Sequence, residues 1–320
     1  GRRHRLCQGG RLPLVEVTGR GVGLVPEGRF PTLADALEAL SEALSRRVEV
    51  AGDDRFECAV DDVAVRTGET TVDVPVVRVY HGVARTGLGS RLLGRLSRAT
   101  AAVANSRQTA RELGDQLGHD VAGVVPPGVD IDLFTPDATP AFESDRPVVL
   151  FVGRFVEAKG VFDLLRAFEP LADDARLVLV GRGDEQRVRR RVGELGIGDA
   201  VTVDGEVPND QLPGYYTAAD VFCLPSYTES FGLVNLEAMA CGTPVVTTDI
   251  PGISTYATDD ETASLTTPGD IDGLRNALDT LVSAPARRER LGTAGRAVAE
   301  SYSWEQSAKR FISLSEQLAD

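Results

Sequence analysis

The chain has 320 residues, 42% of them hydrophobic, and a formal net charge of −14 at pH 7. Its length and apolar content are sufficient for two domains, and its negative charge argues against nucleic acid as a partner, because binding to a phosphate backbone needs a basic surface. No apolar run approaches the roughly 20 residues that a membrane-spanning helix needs, so we expect at most a peripheral association with a membrane.

The N-terminal half is irregularly patterned, and we predict an N-terminal domain over residues 1–134. Its predicted strands are Leu12–Thr18, Cys58–Val65, Pro75–Val79, Ala99–Ala104 and Val121–Val125. Its predicted helices are Thr32–Ser45 and one that begins at Ser106 and runs to about Leu117. Residues 135–146 are rich in Pro, Asp and Thr without hydrophobic periodicity, which indicates an interdomain linker.

The C-terminal half alternates short apolar runs with helical patterns. Its predicted strands are Pro147–Val152, Arg176–Val180, Ala200–Val203, Asp220–Leu224, Pro244–Thr248 and Ala263–Thr266. Its predicted helices are Gly160–Leu171, Asp184–Leu195, Pro208–Ala218, Phe231–Cys241 and Ile271–Ser283. This alternation favours a parallel sheet with helices on both faces. We therefore predict an α/β fold, with a doubly wound, Rossmann-like domain over residues 147–302 and a last helix over 303–320.

The segment Pro225–Val246 carries two glutamates eight positions apart around a Phe-Gly step. Glu229 comes just after the apolar run Val221–Leu224, and Glu237 is predicted to lie two turns into the helix Phe231–Cys241. Open α/β sheets bind ligands in the crevice at the carboxyl ends of their strands, and a helix N-terminus suits a phosphate. The sequence therefore predicts one crevice that contains both carboxylates and a phosphate-binding turn.

This segment resembles the hallmark of the glycogen-synthase-like retaining glycosyltransferases, the glycosyl transferases group 1. There, two glutamates separated by seven residues enclose Phe-Gly, and Ala-Met-Ala-x-Gly-x-Pro-Val-Val follows. The resemblance extends from about Pro75 to the chain's end. Its further matches are His81-Gly82, Asn105-Ser106, Pro127-Gly128-Val129-Asp130 with Phe134, and the loop Phe151-Val152-Gly153-Arg154-Phe155 with Lys159-Gly160.

The resemblance implies a GT-B fold, in which two doubly wound, Rossmann-like domains face a cleft. It also implies that the last helix crosses back to the N-terminal domain. Members normally open with a strand and a Gly-Gly loop, whereas Gly9-Gly10 follows no recognisable strand here. We therefore expect an incomplete N-terminal domain and an N-terminally truncated chain.

Two basic residues are candidates for holding a pyrophosphate. Arg154 and Lys159 flank a strand-to-helix turn beside Gly153, and both charges can converge on phosphate oxygens. Lys159 is one of only two lysines among 34 basic residues, and its compact ammonium suits a point contact with phosphate. A second contact is predicted from the backbone of Phe231-Gly232-Leu233, where Gly232 lets a ligand approach without meeting a Cβ. The Phe231 side chain is interpreted as part of the wall.

Glu237 is the candidate for the ribose, because a carboxylate can accept two hydrogen bonds from a diol. The other roles follow from the resemblance. It implies that Glu229 holds hydroxyls of the transferred sugar, that His81 contacts this sugar from the opposite domain, and that the backbone at Val207 holds the base. The predicted catalytic residues are therefore Glu229, His81, Arg154 and Lys159.

The predicted function is transfer of a hexose-type sugar from a nucleotide-diphosphate sugar to a glycan, lipid or small-molecule acceptor. The resemblance implies retention of anomeric configuration. No Asp-x-Asp motif stands at a convincing strand end, so neither a metal nor a cofactor is expected. The alternatives are a non-catalytic nucleotide-sugar-binding module, and a glycoside phosphorylase or sugar-phosphate synthase on the same scaffold. An epimerase of related fold fits poorly with the string from Glu229 to Gly242.

Composition also predicts the environment of the protein. The four cysteines, Cys7, Cys58, Cys223 and Cys241, match neither a zinc pattern nor Cys-x-x-Cys. We therefore expect buried, reduced thiols in a cytoplasmic protein. The acidic, lysine-poor composition is similar to that of haloarchaeal proteins. It predicts higher activity and stability at high salt, because salt screens self-repulsion.

Overall fold

The computed structural model describes residues 14–17, 28–30, 58–66, 76–83, 101–111, 121–307, 309–310 and 314. The chain divides into two compact units, one of Gly1–Val125 with Ala308–Asp320 and the other of Pro126–Ser307. The predicted helix Thr32–Ser45 lies outside the described residues. The domain boundaries that we placed at 134, 146 and 302 stay predictions.

The first unit contains a mixed six-stranded sheet in the order β2-β1-β3-β4-β5-β6. Its strands are β1 Leu14–Val17, β2 Gly28–Phe30, β3 Cys58–Arg66, β4 Val76–Val83, β5 Ala101–Ala104 and β6 Gly123–Val124. The strands from β2 to β4 pair antiparallel, whereas β4, β5 and β6 are parallel. All of these strands except β2 were predicted from the sequence, although without their directions.

The strand that was predicted to end at Val79 continues to Val83, so that predicted end was wrong and His81 lies within β4. The strand continues because β3 extends alongside it, with Ala59 opposite Gly82 and Cys58 opposite Val83. The predicted helix start at Ser106 is confirmed, since residues 107–111 are helical. The Ser106 hydroxyl accepts the Thr109 backbone N–H at 3.1 Å, which is the usual N-cap contact.

The second unit is a six-stranded parallel sheet in the order β12-β11-β10-β7-β8-β9. Its strands are β7 Val148–Val152, β8 Arg176–Val180, β9 Val201–Gly205, β10 Val221–Leu224, β11 Val245–Thr248 and β12 Ser264–Thr266. Every residue of β7, β10 and β11 is buried, as expected for a sheet covered on both faces. The doubly wound domain predicted from the apolar runs is confirmed.

The helices of this unit are α1 Val161–Phe168, α2 Glu185–Leu195, α3 Leu212–Ala218, α4 Leu233–Ala240, α5 Ile271–Ser283 and α6 Pro285–Ser301. The start of α4 corrects our prediction by two residues. Gly232 has a φ of 75°, a left-handed conformation that ends the turn before the helix. Glu237 is therefore the fifth residue of the helix and lies in its second turn.

The helix α6 was not predicted. It packs on α4 through small residues: a Cβ at Gly292 would lie 2.2 Å from the Gly242 carbonyl oxygen, and one at Gly295 would lie 3.0 Å from Met239. The Arg296 guanidinium donates to the carbonyl oxygens of Ala240 and Phe134. The helix thereby packs along α4 and anchors the chain at Phe134.

Candidate functional site

The sheet order of the second unit creates a topological switch point between β7 and β10. From β7 the chain continues outward through β8 and β9, and from β10 it continues in the opposite direction through β11 and β12. Ligands of open α/β sheets bind at such a point, outside the carboxyl ends of the strands. The loops that follow β7 and β10 contain most of the predicted site residues.

The loop after β7 contains Gly153, Arg154 and the short 3₁₀ helix Glu157–Lys159. It ends at Gly160, whose φ of 69° places it in the left-handed region. A Cβ on Gly160 would lie 2.0 Å from the Pro225 carbonyl oxygen. Only glycine therefore lets the first loop lie directly against the second, which begins at Pro225.

The structure brings Lys159 and Glu229 together. The Lys159 ammonium lies 2.6 Å from Glu229 Oε1, and their side chains are 28% and 9% exposed. The Ser226 hydroxyl donates to the same oxygen at 2.8 Å, and the Tyr227 backbone N–H donates to the Ala158 carbonyl at 2.9 Å. Each contact joins or orders the two loops, so a positive and a negative group are fixed side by side in the crevice.

The turn before α4 is fixed by aromatic packing and by hydrogen bonds from Tyr256 and Asn235. Phe231 is 2% exposed and packs against the rings of Tyr256 and Tyr302, with centroids 5.3 and 5.7 Å away. Its side chain is therefore a buried wall, as we interpreted it. The Tyr256 hydroxyl donates to the Gly232 carbonyl at 3.1 Å and accepts from Asn235 Nδ2 at 3.1 Å. These bonds fix the backbone at the helix N-terminus, where Leu233 is the first residue.

Glu237 contacts a tyrosine that was not among the residues predicted from the sequence. The Tyr216 hydroxyl, on α3, donates to Glu237 Oε2 at 2.8 Å. Burial raises the pKa of Glu237 from its usual 4.5 to about 7, and the bond from Tyr216 opposes that rise. The carboxyl therefore titrates near neutral pH. Such perturbed carboxyls are concentrated at functional sites.

The raised pKa predicts that Glu237 costs stability. Because the folded protein holds this proton more tightly than the unfolded chain does, the free energy of unfolding falls as the pH rises from about 4.5 to about 7. At about 1.4 kcal/mol per pKa unit the loss reaches up to about 3 kcal/mol. We expect Glu237→Gln to be more stable than the wild type by about 1 to 3 kcal/mol at about pH 8, and equally stable below about pH 4.

Urea unfolding at several pH values measures this difference. Glu261→Gln, in an exposed turn, makes the same change of charge, and we expect it to shift the free energy of unfolding by less than about 0.5 kcal/mol. A Glu237→Gln variant that is no more stable than the wild type at pH 8 would contradict the burial cost that we assign to this carboxylate.

The turns after β8 and β9, the second of which contains the predicted site residue Val207, lie at the same edge of the sheet but farther from the switch point. Gly181, after β8, has a φ of 140°, and a Cβ there would lie 1.9 Å from the Gly153 carbonyl oxygen. The Gly181 N–H donates to the Gly205 carbonyl at 2.7 Å. Val207 follows β9 and packs, partly buried, against the core. The Gly181-Arg182-Gly183-Asp184 segment is thus a tight turn, which Asp184 ends as the N-cap of α2.

The predicted histidine and the four cysteines are described by the structure only in part. His81 belongs to the first unit, and only its backbone in β4 is described. Cys223 and Cys241 are buried free thiols, as predicted. Cys7 and the side chain of Cys58 lie outside the described residues.

Two features are absent from the residues that the structure describes. Among those residues no three His, Cys, Asp or Glu side chains are grouped as metal ligands would be. No described helix is long and apolar enough to cross a membrane.

The sequence profile of a family described as Glycosyl transferases group 1 matches residues 137–298. The chain is 34% identical over 275 residues to a D-inositol 3-phosphate glycosyltransferase of Xylanimonas cellulosilytica, which covers 76% of this chain and 66% of that protein. It is 32% identical over 229 residues to a GDP-mannose-dependent alpha-(1-6)-phosphatidylinositol monomannoside mannosyltransferase of Mycolicibacterium smegmatis, which covers 65% of this chain and 60% of that protein. The chain thus spans about two-thirds or less of the length of these relatives.

Solved structures provide a second comparison. A sucrose-phosphate synthase from Thermosynechococcus elongatus matches with a TM-score of 0.66 at 24% identity, over 95% of this chain and 85% of that one. A glycosyltransferase from Rickettsia africae matches with a TM-score of 0.68 at 20% identity, over 76% of this chain and 70% of that one. At these identities the likeness concerns the fold alone, and it confirms the α/β fold predicted from the sequence.

Proposed function

The chain belongs to the glycosyl transferases group 1 family, with the GT-B fold expected of it, and we propose that it transfers a sugar from a nucleoside diphosphate sugar to an acceptor hydroxyl, with retention of configuration. The observation that carries this proposal is the pairing of Lys159 with Glu229 at the switch point of the parallel sheet. Two adjoining loops there supply a cation, which can bind a diphosphate, and a carboxylate, which can accept hydrogen bonds from sugar hydroxyls.

In this proposal Lys159 and Arg154 bind the diphosphate. Lys159 reaches the crevice from the loop after β7, and diphosphate oxygens would add to or replace its contact with Glu229. A hydrogen bond to a charged group contributes about 1.5 to 3 kcal/mol, so this loop supplies a large part of donor affinity. Gly153 and the backbone at Phe231-Gly232-Leu233 complete the phosphate contacts, with the N-terminus of α4 directed at the negative charge.

The other contacts are assigned by chemistry. Glu237 accepts hydrogen bonds from the ribose hydroxyls, and Glu229 accepts them from the transferred sugar. The backbone at Val207 contacts the base. His81 stays our candidate for a contact to the sugar, and its role is a prediction. No divalent cation or cofactor enters the proposal.

The reaction breaks the bond between the anomeric carbon and the diphosphate oxygen. The acceptor oxygen then bonds to the same face of the anomeric carbon, and its proton passes to the departing phosphate oxygen. Positive charge from Lys159 and Arg154 and the dipole of α4 stabilise the charge that develops on the leaving group. The carboxylates of Glu229 and Glu237 act as hydrogen-bond acceptors, not as the acid and nucleophile of a hydrolase.

The first acceptors to test are inositol phosphates and phosphatidylinositol glycosides. The names of the Xylanimonas and Mycolicibacterium relatives include such acceptors, and that of the latter includes GDP-mannose as donor. These similarities support the choice of assay. We propose a cytoplasmic location, since nucleotide sugars are the proposed donors.

Calorimetry with UDP-, GDP- and ADP-sugars tests the proposal, with Glu237→Gln as the control variant. We expect one donor to bind tightly and the variant to lose that binding. Transfer to D-inositol 3-phosphate is then followed by NMR, which also reports the anomeric configuration of the product. Inversion would refute retention, and failure of all three donors to bind would refute the proposed function.

Acceptor assays distinguish the alternatives. Tight donor binding without transfer to any acceptor would identify a non-catalytic binding module. Transfer to inorganic phosphate or to a simple sugar phosphate would identify a phosphorylase or a sugar-phosphate synthase.

Salt is expected to raise both the donor affinity and the stability of this protein. A chain with a net charge of −14 repels a dianionic donor, and the Debye length falls from about 10 Å at 0.1 M salt to about 3 Å at 1 M. We expect both donor affinity and the free energy of unfolding to be higher at about 1 M than at about 0.1 M potassium chloride. A decline of both quantities with salt would contradict the prediction from composition.

A further inference from the structure

We propose that Tyr216 is a positioning residue for the nucleotide sugar, whose buried hydroxyl keeps the Glu237 carboxylate oriented and ionised for the ribose hydroxyls. This inference rests on the proposed function. It adds a residue that lies outside the Glu229–Glu237 motif and belongs to a different helix, α3.

The geometry leaves the Tyr216 hydroxyl little freedom. Its side chain is 0% exposed, and its ring packs edge-on against Phe134 and Phe222, with centroids 5.9 and 5.4 Å away. The Thr243 hydroxyl fixes the backbone by donating to the Tyr216 carbonyl at 2.7 Å. The hydroxyl therefore lies 2.8 Å from Glu237 Oε2 at the end of a ring that two aromatic neighbours hold in place.

The direction of this hydrogen bond determines its effect. A hydroxyl that donates to a carboxylate favours the ionised form, and it opposes the burial that raises the pKa of Glu237 to about 7. Burial and the nearby Glu237 raise the pKa of Tyr216 itself well above its usual value. Tyr216 therefore keeps its proton and remains a donor as Glu237 ionises near neutral pH.

Among the described residues, a second ionisable side chain close to Glu237, Cys241, does not compensate for Tyr216. Cys241 ends α4, and burial and then Glu237 raise its pKa to about 12, while Arg296 opposes the rise. The thiol is thus neutral near pH 7 and adds no charge. Among the described residues, Tyr216 is the side chain whose hydrogen bond lowers the pKa of Glu237.

An ionised Glu237 is what the ribose requires. A carboxylate is a pure acceptor with two oxygens and about four lone-pair sites, so it can keep the bond from Tyr216 and still accept from two ribose hydroxyls. A protonated carboxyl would present a donor to a diol and lose acceptor capacity. Without the Tyr216 hydroxyl, more of the Glu237 carboxyl is protonated at and below neutral pH. Nucleotide binding by the variant should therefore be weakened most in that pH range.

The first test needs no ligand. Carbon-13 NMR titration of the Glu237 carboxyl, assigned with Glu237→Gln, is compared between the wild type, Tyr216→Phe and Tyr215→Phe. Tyr215 is a matched control, since its hydroxyl donates to another carboxylate, Asp204 Oδ2, at 3.0 Å. We expect Tyr216→Phe to raise the pKa of Glu237 by about one unit or more, and Tyr215→Phe to leave it unchanged.

The second test is nucleotide affinity against pH, measured with whichever of UDP, GDP and ADP binds the wild type. An upward shift of one pKa unit predicts affinity about fivefold weaker for Tyr216→Phe at about pH 7, converging on the wild type above about pH 9. A merely structural role would weaken binding equally at all pH values. Thermal unfolding checks that Tyr216→Phe, which keeps the packed ring, is folded.

The outcomes separate this inference from the proposed function. An unchanged pKa of Glu237 in Tyr216→Phe, or a loss of affinity that is the same at every pH, overturns the inference. Nucleotide binding by Glu237→Gln as tight as that of the wild type instead overturns the assignment of Glu237 to the ribose, whatever the pKa shift in Tyr216→Phe.

Discussion

Replacing Lys159 with methionine is expected to weaken nucleoside diphosphate binding by about 10- to 150-fold, which corresponds to the 1.5 to 3 kcal/mol of one charge-assisted hydrogen bond. Methionine keeps most of the side-chain length but removes the charge. Because the ammonium of Lys159 lies at the switch point beside Glu229, its loss removes positive charge where we place the diphosphate. Calorimetry with the bound nucleotide measures the change.

The chain supplies a matched control for this variant. Lys309 is its other lysine, and it is exposed. We expect Lys309→Met to bind nucleotide within about twofold of the wild type, since surface substitutions change free energies by less than about 0.5 kcal/mol. Equal affinity for Lys159→Met and the wild type would refute the assignment of this lysine to the diphosphate.

Replacing Gly160 with alanine is expected to be among the most damaging single changes in the second unit. The left-handed backbone costs a residue with a Cβ about 1 to 2 kcal/mol, and the new methyl would overlap the Pro225 carbonyl oxygen. Overpacking of this kind adds about 1 to 3 kcal/mol. We expect the free energy of unfolding to fall by about 3 kcal/mol or more. Nucleotide affinity should also fall, because the Lys159 and Glu229 loops must separate.

Gly196→Ala isolates the cost of the backbone conformation. Gly196 has a nearly identical φ of 70°, but no atom lies within 4 Å of a Cβ built there. We expect this variant to lose only about 1 to 2 kcal/mol and to bind nucleotide normally. Denaturant unfolding of both variants gives the comparison, and equal losses would mean that the contact with Pro225 does not constrain the loops.

The parallel sheet of the second unit could be predicted from the sequence for a local reason. A strand buried on both faces needs apolar residues at every position, so β7 and β10 appear in the sequence as uninterrupted apolar runs. Predicting α6 was harder, because helices are recognised by an apolar stripe. The buried residues of α6 include Gly292, Gly295 and Ala299, whose small size is explained only by the close approach of α4.

The candidate site also contains some residues that could be predicted from the sequence and others that could not. Lys159 and Glu229 could be identified from their motifs, since each stands at a fixed spacing from a glycine-containing turn. Ser226, three residues before Glu229, could have been considered, because a short hydroxyl side chain often bonds locally. Tyr216 carried no such signal: it lies 21 positions from Glu237, and a hydrogen bond over that separation depends on how α3 packs against α4.

By itself, the sequence determined the alternation of strands and helices, the switch-point loops and the residue types that they carry, because apolar runs, glycine turns and charge placement are local properties. The tertiary structure alone decided the ion pair between Lys159 and Glu229, the bond from Tyr216 to Glu237 and the pKa that burial gives to that carboxyl. These depend on distances between segments distant in the chain, and such distances are set by packing.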